Sequence, residues 1–277
     1  MKKCFFLLLL LSIAANAQTH RFIYEYQFKS DSLAKEFRKE NMVLDINPTE
    51  VKFYPYFQAE NDSINKIRNY SNSSWDDEVP TLKRERNTNR NINYVLFNDF
   101  FAVKTSDEMV WILTPDTKKV GSYNLQKATT KFGGRKWTAW FNTEVNSNEG
   151  PYKFRGLPGL IFEVADDKNN FKFSLLKSYQ LKDTYDTSGF MESFAGKKPI
   201  MVDEKTLNKK RLELFNDPLY EFKEKFKNDD GSTNFSVMGV KIKSLDQFKE
   251  LTVKLQDKLR QDYNPIELDK AVHYPIK

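Results

Sequence analysis

The stretch "GPYKFRGLPGLIFEV", residues 150–164, concentrates backbone-breaking residues beside an apolar run. The chain has ten glycines and ten prolines in 277 residues, and three of those glycines and two of those prolines lie here. The tetrapeptide LPGL at 157–160 is typical of a type II turn, because proline presets φ at the second position and glycine accepts a positive φ at the third. We therefore predict a sharp corner at Gly159, a buried strand that starts at Leu160, and a close approach to a neighbouring backbone at Gly156.

Residues 92–181 show the pattern of an antiparallel sheet. Apolar stretches are separated by polar turns, and two of these turns, Gly133-Gly134 and residues 167–170, have the composition of hairpins. No stretch between them is long enough for a helical crossover, so the strands are expected to pair as a curved antiparallel meander. Leu160 and Phe162 should be buried in it.

The segments before residue 92 carry weaker signals. The stretch 21–28 alternates apolar and polar residues, and 42–46 and 50–57 are short apolar runs, so strands are predicted there. Residues 30–41 contain a helix N-cap candidate and predict a short helix. Residues 58–91 are rich in Asn and Ser and predict a loop with at most one helical turn. Its basic residues are expected to be solvated or to contact anionic lipid headgroups; they are Lys83, Arg84, Arg86 and Arg90.

Helical periodicity appears at about residues 203–262. Asp203 is placed to open a helix that carries Leu207, Asp217-Pro218 precedes a second helix, and Ser244 begins a capping-box pattern before a third. Their apolar stripes should lie on the sheet or on one another. The expected fold is one α+β domain over residues 18–277, an antiparallel, curved β-meander sheet with C-terminal helices packed on it.

Residues 1–17 have the form of a secretory signal peptide, with two lysines, a short apolar core and a small-residue cleavage site at Ala15-Asn16-Ala17. Cys4 precedes the apolar core, so lipid attachment is not expected. We predict an exported, soluble chain in the periplasm or outside the cell that begins at Gln18 and contains no cysteine. No second run of about 18 apolar residues follows, so no transmembrane segment is expected, and the oligomeric state is left open.

The charge balance argues against a nucleic-acid partner. Loss of Lys2 and Lys3 with the signal lowers the net charge from +6 to +4, with 42 basic against 38 acidic residues. The remaining charges are spread along the chain rather than clustered on one stripe. The expected partners are an envelope protein or an apolar ligand.

The chain resembles the GLPGLI family of secreted proteins from Gram-negative bacteria. The motif itself lies at residues 156–161, and the blocks "SYNLQKATTKFGGRKWTAWFNTEV" and "NPIEL" precede and follow it in the family's order. Where relatives have a cysteine in a Gly-Tyr-x-Cys-x-Lys-Ala block, this chain has Leu125. The resemblance implies a β-rich envelope protein without an established activity, and it brings no catalytic residues.

Few catalytic chemistries fit the residues present. The two histidines, His20 and His273, lie near the ends of the chain, and no nucleophile elbow, zinc-binding helix or phosphate-binding glycine loop occurs. A pair of carboxylates remains open, since pairs have no spacing signature. The acids near the motif are expected to be solvated; they are Glu144, Glu149, Glu163, Asp166 and Asp167.

Two groups of residues are candidate sites. Strand alternation places Trp140 on the face opposite Trp137, where it is either covered or exposed for stacking on a ligand. The candidate binding residues are Gly156, Leu157, Pro158, Gly159, Leu160, Ile161, Trp140 and Tyr123. A mature start of Gln18-Thr19-His20 offers an amine, two amides and an imidazole in the square plane that Cu(II) prefers, provided that Gln18 does not cyclise. Otherwise no cofactor is expected.

Three functional hypotheses follow. The favoured one is a non-enzymatic envelope protein that binds a partner or ligand on its sheet. The second is a periplasmic carrier of lipid or lipoprotein, with an apolar concavity of the sheet under a helical lid. The third is a carboxylate-dependent hydrolase. A large apolar cavity would favour the second hypothesis, and a polar cleft with two close acids would favour the third.

Overall fold

A computed structural model describes residues 18–229 and 235–276, so the predicted signal peptide lies outside the described residues. Twelve strands form one sheet in the order β12-β6-β5-β4-β3-β2-β1-β11-β10-β9-β8-β7. The strands are β1 (Thr19–Phe28), β2 (Arg38–Ile46), β3 (Glu50–Pro55), β4 (Thr81–Glu85), β5 (Arg90–Phe97), β6 (Asp99–Ser106), β7 (Ile112–Val120), β8 (Tyr123–Phe132), β9 (Arg135–Asn142), β10 (Leu160–Asp166), β11 (Phe171–Leu181) and β12 (Ile200–Val202).

The sheet is two antiparallel meanders joined side by side. Strands β1 to β6 form the first meander and β7 to β11 the second, and β1 pairs with β11 to join them. The short β12 lies parallel to β6. The predicted antiparallel pairing is therefore confirmed, but the prediction of one meander over residues 92–181 is wrong. β5 and β6 belong to the first meander, far from β7 in the sheet, because the chain crosses to the other edge after β6, and the strands before residue 92 belong to the same sheet. A separate hairpin consists of β13 (Ser236–Val237) and β14 (Val240–Lys241).

Both faces of the sheet are covered around β1, since its alternate residues enter different clusters. Phe22 and Tyr24 belong to a large core that includes Phe154 from the segment before the motif. Ile23 lies on the opposite face with Ala59. The strand is thus buried on both sides near Ile23, while the polar Glu25 and Gln27 keep the predicted alternation further along it.

Two predictions for the first half of the chain are wrong. The short helix expected over residues 30–41 is absent, because Lys39 to Asn41 pair with Gln27 to Glu25 and extend β2. The loop expected over residues 58–91 contains helix α1 (Tyr56–Arg68) and strand β4. Local signals for α1 exist in the i,i+4 pair of Lys66 with Asp62 and in the left-handed residue Asn69 at its end.

The C-terminal region forms the predicted helices α2 (Glu204–Asn216), α3 (Tyr220–Lys227) and α4 (Gln247–Gln261), followed by a 3₁₀ turn at Leu268–Lys270. The Asp203 carboxylate caps α2 by accepting from the Thr206 N–H at 2.7 Å. Leu207 of α2 shares a cluster with Phe101 and Val103 of β6. Phe248 of α4 lies in another cluster with Leu219 and Val237.

Gly156 and Gly159 exchange the roles that the sequence predicts for them. Gly156 has a φ of 96°, and the nearest atom to a Cβ built there is Trp111 Cδ1 at 4.0 Å, so its backbone conformation is what favours glycine. Gly159 has a φ of 158°, far from the value near +80° of a type II turn. A Cβ there would lie 2.0 Å from the Asn142 carbonyl oxygen, so the close approach occurs at Gly159.

Candidate functional site

A cavity of about 490 Å³ lies between the first meander and the C-terminal helices. Its floor comes from β5 and β6, one wall from α2 and another from the end of α4 and the residues after it. More than half of its lining residues are apolar or aromatic. Cavities of this size and lining are typical of sites for small ligands.

Helix α2 presents one stripe to the cavity, because residues three and four apart lie on the same helix face. The cavity-lining residues of this stripe are Glu204, Leu207, Asn208, Arg211 and Leu214. The facing strands contribute an apolar patch in which Val95 and Phe97 of β5 pack near Leu207. The stripe therefore combines an apolar middle with one acid and one cation.

Paired charges close one end of the cavity. Lys153 lies 2.6 Å from Glu267 and 3.0 Å from Asp107. Lys270 lies 2.6 Å from Glu267 and 2.9 Å from Asp107. Two lysines and two carboxylates thus neutralise one another, and the hydroxyl of Tyr152 also donates to Glu267.

This pairing sets the charge state of Asp107. Burial opposes its ionisation, but the charge of Lys153 and hydrogen bonds from Thr105, Lys270 and Lys153 outweigh burial and lower its pKa to about 2. A general acid at neutral pH needs a raised carboxyl pKa instead. Asp107 is therefore arranged for ion pairing rather than for proton donation.

The segment 149–155 extends the charged network across the core. The Arg84 guanidinium, 1% exposed, donates to the buried Glu149 carboxylate and to the Tyr152 carbonyl oxygen at 3.3 Å. Arg155 lies 3.4 Å from the same carboxylate. The expectation that Arg84 and Glu149 are solvated is wrong, since a buried guanidinium needs a charged partner. Asp166 is also buried, 3.2 Å from Arg135.

Two polar groups of the cavity wall have unused hydrogen-bonding capacity. The Thr81 hydroxyl is buried and has no hydrogen-bond partner among the described residues. No carboxylate of the described residues lies within 4.0 Å of the Arg211 guanidinium; its contacts are the Asn208 side-chain oxygen at 3.5 Å and the Phe97 ring at 5.9 Å. The Arg211 guanidinium is therefore available to a ligand, whereas Thr81 shares the sheet face of Tyr94, opposite Val95 and Phe97.

The structure does not bring the sequence-predicted binding residues to this cavity. Leu157, Leu160 and Ile161 are buried in the core, while Gly156 and Pro158 are exposed at the corner. Leu160 and Phe162 are buried as predicted. The motif residues therefore form an architectural corner between β9 and β10.

Trp140 is partly buried and packs at the margin of the large core. The Lys118 ammonium lies 4.6 Å from the centre of its ring and 2.7 Å from Glu163. Tyr123 is 41% exposed, and its ring centre lies 5.0 Å from that of Phe162. A lysine thus already occupies the aromatic face that was a candidate for ligand stacking.

The candidate copper ligands lie at the start of β1. Gln18 is exposed, while Thr19 pairs with Leu181 and His20 pairs with both Gln180 and Ile46. Copper chelation by the amides of Thr19 and His20 requires these first pairs of the sheet to open, and copper binding stays a prediction. Among residues 18–229 and 235–276, no group of three or more His, Cys, Asp or Glu side chains is placed to hold a metal.

Sequence reasoning missed the residues of the cavity. They come from segments between Tyr26 and Tyr274, and this distribution leaves no spacing motif. One usable signal was the placement of Arg211 four residues after Leu207 and three before Leu214, a cation on an apolar helix stripe. None of the helices in the described ranges is long and apolar enough to cross a membrane.

Comparison with known proteins gives one short family match and one structural likeness. The family described as "Protein of unknown function (Porph_ging)" matches residues 133–163, a small part of the chain that includes the GLPGLI motif. This match is consistent with a bacterial family of unestablished function. No curated protein matches the chain.

A solved structure of PNGF-II shares the fold over part of this chain. The structure in the P21 space group has a TM-score of 0.50 and 15% identity, over 70% of this chain and 33% of that chain. The structure in the C2 space group has a TM-score of 0.49 and 16% identity, over 69% and 32%. This chain spans about a third of the length of those proteins, so the likeness concerns the fold alone.

Proposed function

We propose that this chain is an exported envelope protein that binds a ligand with an apolar body in the cavity between the sheet and the C-terminal helices, without transforming it. The observation that carries this proposal is a cavity of about 490 Å³ with a mainly apolar lining and one guanidinium, that of Arg211, without a carboxylate partner among the described residues. The signal-peptide pattern of residues 1–17 supports export.

The arrangement of the cavity favours the carrier hypothesis over a partner bound on an open sheet face. Strands β5 and β6 supply a largely apolar floor, and α2 and the end of α4 supply walls beside it. The cavity is therefore a concave cleft rather than a flat sheet surface. The acids at its charged end are held in ion pairs with Lys153 and Lys270, which argues for binding rather than carboxylate catalysis.

A cavity-filling substitution tests this proposal. N-phenyl-1-naphthylamine, an uncharged apolar fluorophore, should bind the purified mature chain with a gain in fluorescence. Leu214→Trp places a larger side chain in the cavity and should abolish that gain. Leu212→Trp is the matched control, because Leu212 lies on the same helix but lines no part of the cavity.

Circular dichroism should show that both variants fold like the parent. Equal loss of fluorophore binding in both variants, or binding that survives Leu214→Trp, would place the ligand elsewhere and overturn the proposal. Failure of the parent chain to bind the fluorophore or any aliphatic competitor would do the same.

A further inference from the structure

We propose that the ligand is a singly charged amphiphile, a carboxylate on an aliphatic chain, whose head group pairs with Arg211. This inference rests on the proposed function, since it assigns the chemical class of the ligand in the same cavity. It starts from the cations that line the cavity. Lys153, Lys258 and Lys270 each have a carboxylate partner, whereas Lys29 and Arg211 have none within 4.0 Å among the described residues. The Lys29 ammonium lies 5.0 Å from the Phe37 ring centre, while Arg211 lies between Leu207 and Leu214 on the cavity stripe of α2.

The geometry of Arg211 suits a carboxylate. Its guanidinium lies 5.9 Å from the ring centre of Phe97 and uses one long hydrogen bond, of 3.5 Å to Asn208. A guanidinium carries five N–H donors in a planar fork that matches the two oxygens of a carboxylate. Most of this capacity is therefore unused while Arg211 is half-buried beside an apolar patch.

Apolar side chains surround Arg211 and would contact the aliphatic chain of the ligand. Leu207 and Leu214 flank it on the same helix stripe, and Val95 and Phe97 lie opposite on β5. An aliphatic chain packed along these residues would keep its acid end at Arg211. Burial of the chain supplies most of the affinity, and the ion pair supplies the choice of head group.

The local charge favours a head group with one negative charge. Glu204 lines the same stripe, and Asp77 lines the cavity near enough to feel the charge of Arg211 without forming an ion pair with it. These acids disfavour a dianion such as a phosphate monoester, because like charges repel at close range. One unpaired guanidinium is matched by one carboxylate.

Displacement of N-phenyl-1-naphthylamine by decanoate and by 1-decanol tests the inference, since the two compounds differ only in the head group. Decanoate should compete at least about tenfold better than 1-decanol, the factor expected for a charge-assisted hydrogen-bonded pair. Arg211→Gln should remove that difference by weakening decanoate alone. Lys258→Gln is the matched control, because Lys258 lines the cavity but already pairs with Asp262 at 3.5 Å.

Equal competition by decanoate and 1-decanol, or an equal loss of both in Arg211→Gln, would overturn the inference and leave the proposed function standing. If neither compound displaces the fluorophore from the folded parent, the inference and the proposed function both fall.

Discussion

The segment 149–161 and the cavity stripe of α2 differ in whether their charged side chains have oppositely charged partners. In the first region, Glu149 and Lys153 are buried and each is held by an oppositely charged side chain. In the second, the Arg211 guanidinium has no carboxylate within 4.0 Å among the described residues, although it borders apolar neighbours. The recognisable motif therefore lies in a part of the fold whose buried charges are already paired. The unpaired cation lies on α2, where the sequence shows no motif.

The largest loss of stability should come from breaking the buried ion pair between Arg84 and Glu149. Glu149→Leu leaves the buried Arg84 without its carboxylate and should lower the free energy of unfolding by about 3–5 kcal/mol. The double variant Arg84→Met/Glu149→Leu should regain most of that loss, because no uncompensated buried charge remains. Urea unfolding of the three chains measures both values. A loss below about 1 kcal/mol in Glu149→Leu would show that the pair is not desolvated as described.

The corner itself should tolerate no side chain at Gly159. In Gly159→Val the new Cβ would meet the Asn142 carbonyl oxygen at 2.0 Å, so β9 and β10 must shift apart at a cost of about 3 kcal/mol. Gly189→Ala is the control, since nothing lies within 4 Å of a Cβ there. If Gly159→Val melts with the parent, the close packing of the corner is wrong.

The third effect depends on pH. Asp107 has a folded pKa of about 2, below the usual value of 3.8, so its ionised form stabilises the fold above about pH 4. That stabilisation, on the order of 2 kcal/mol, is lost as the pH falls from about 4 to about 2. Asp107→Asn should flatten the stability profile in this window, which thermal melts at stepped pH can measure. An unchanged profile in the variant would contradict the ion pairs assigned to Asp107.

The smallest effect is expected at Arg211. Removing an unpaired, half-buried cation leaves no partner behind, so Arg211→Gln should change the free energy of unfolding by less than about 0.5 kcal/mol. Paired with the large loss in Glu149→Leu, this result would separate a group kept for binding from groups that hold the fold. Destabilisation of several kcal/mol would mean that Arg211 is structural.

Sequence patterns predicted the parts of the fold that depend on neighbouring residues. The hairpin at Gly133-Gly134, the Asp203 cap and the burial of Leu160 follow from local turn chemistry, capping and alternation. The first half of β2 did not, because its polar residues become strand only through pairing with β1. Helix α1 was missed because its Asn- and Ser-rich composition resembles that of a loop.

The candidate site was out of reach of sequence patterns for the same reason. Arg84 and Glu149 are 65 residues apart in the sequence, and Lys153 and Glu267 are 114 residues apart. Neither ion pair therefore has a spacing pattern that the sequence could reveal. The cavity appears only when α2 is placed over β5 and β6. The corner attracted attention because glycine and proline are rare in this chain, but their concentration reflects backbone geometry.

Hydrogen exchange of the mature chain with and without decanoate shows which elements the ligand protects. We expect slower exchange, read by mass spectrometry of peptides, in α2 (Glu204–Asn216) and in β5 (Arg90–Phe97), because these elements border the cavity. Residues 156–161 and the strand that carries Trp140 should exchange at the same rate in both samples. Protection at residues 156–161 or around Trp140, with none in α2, would contradict ligand binding in the cavity and would place the binding site at the motif.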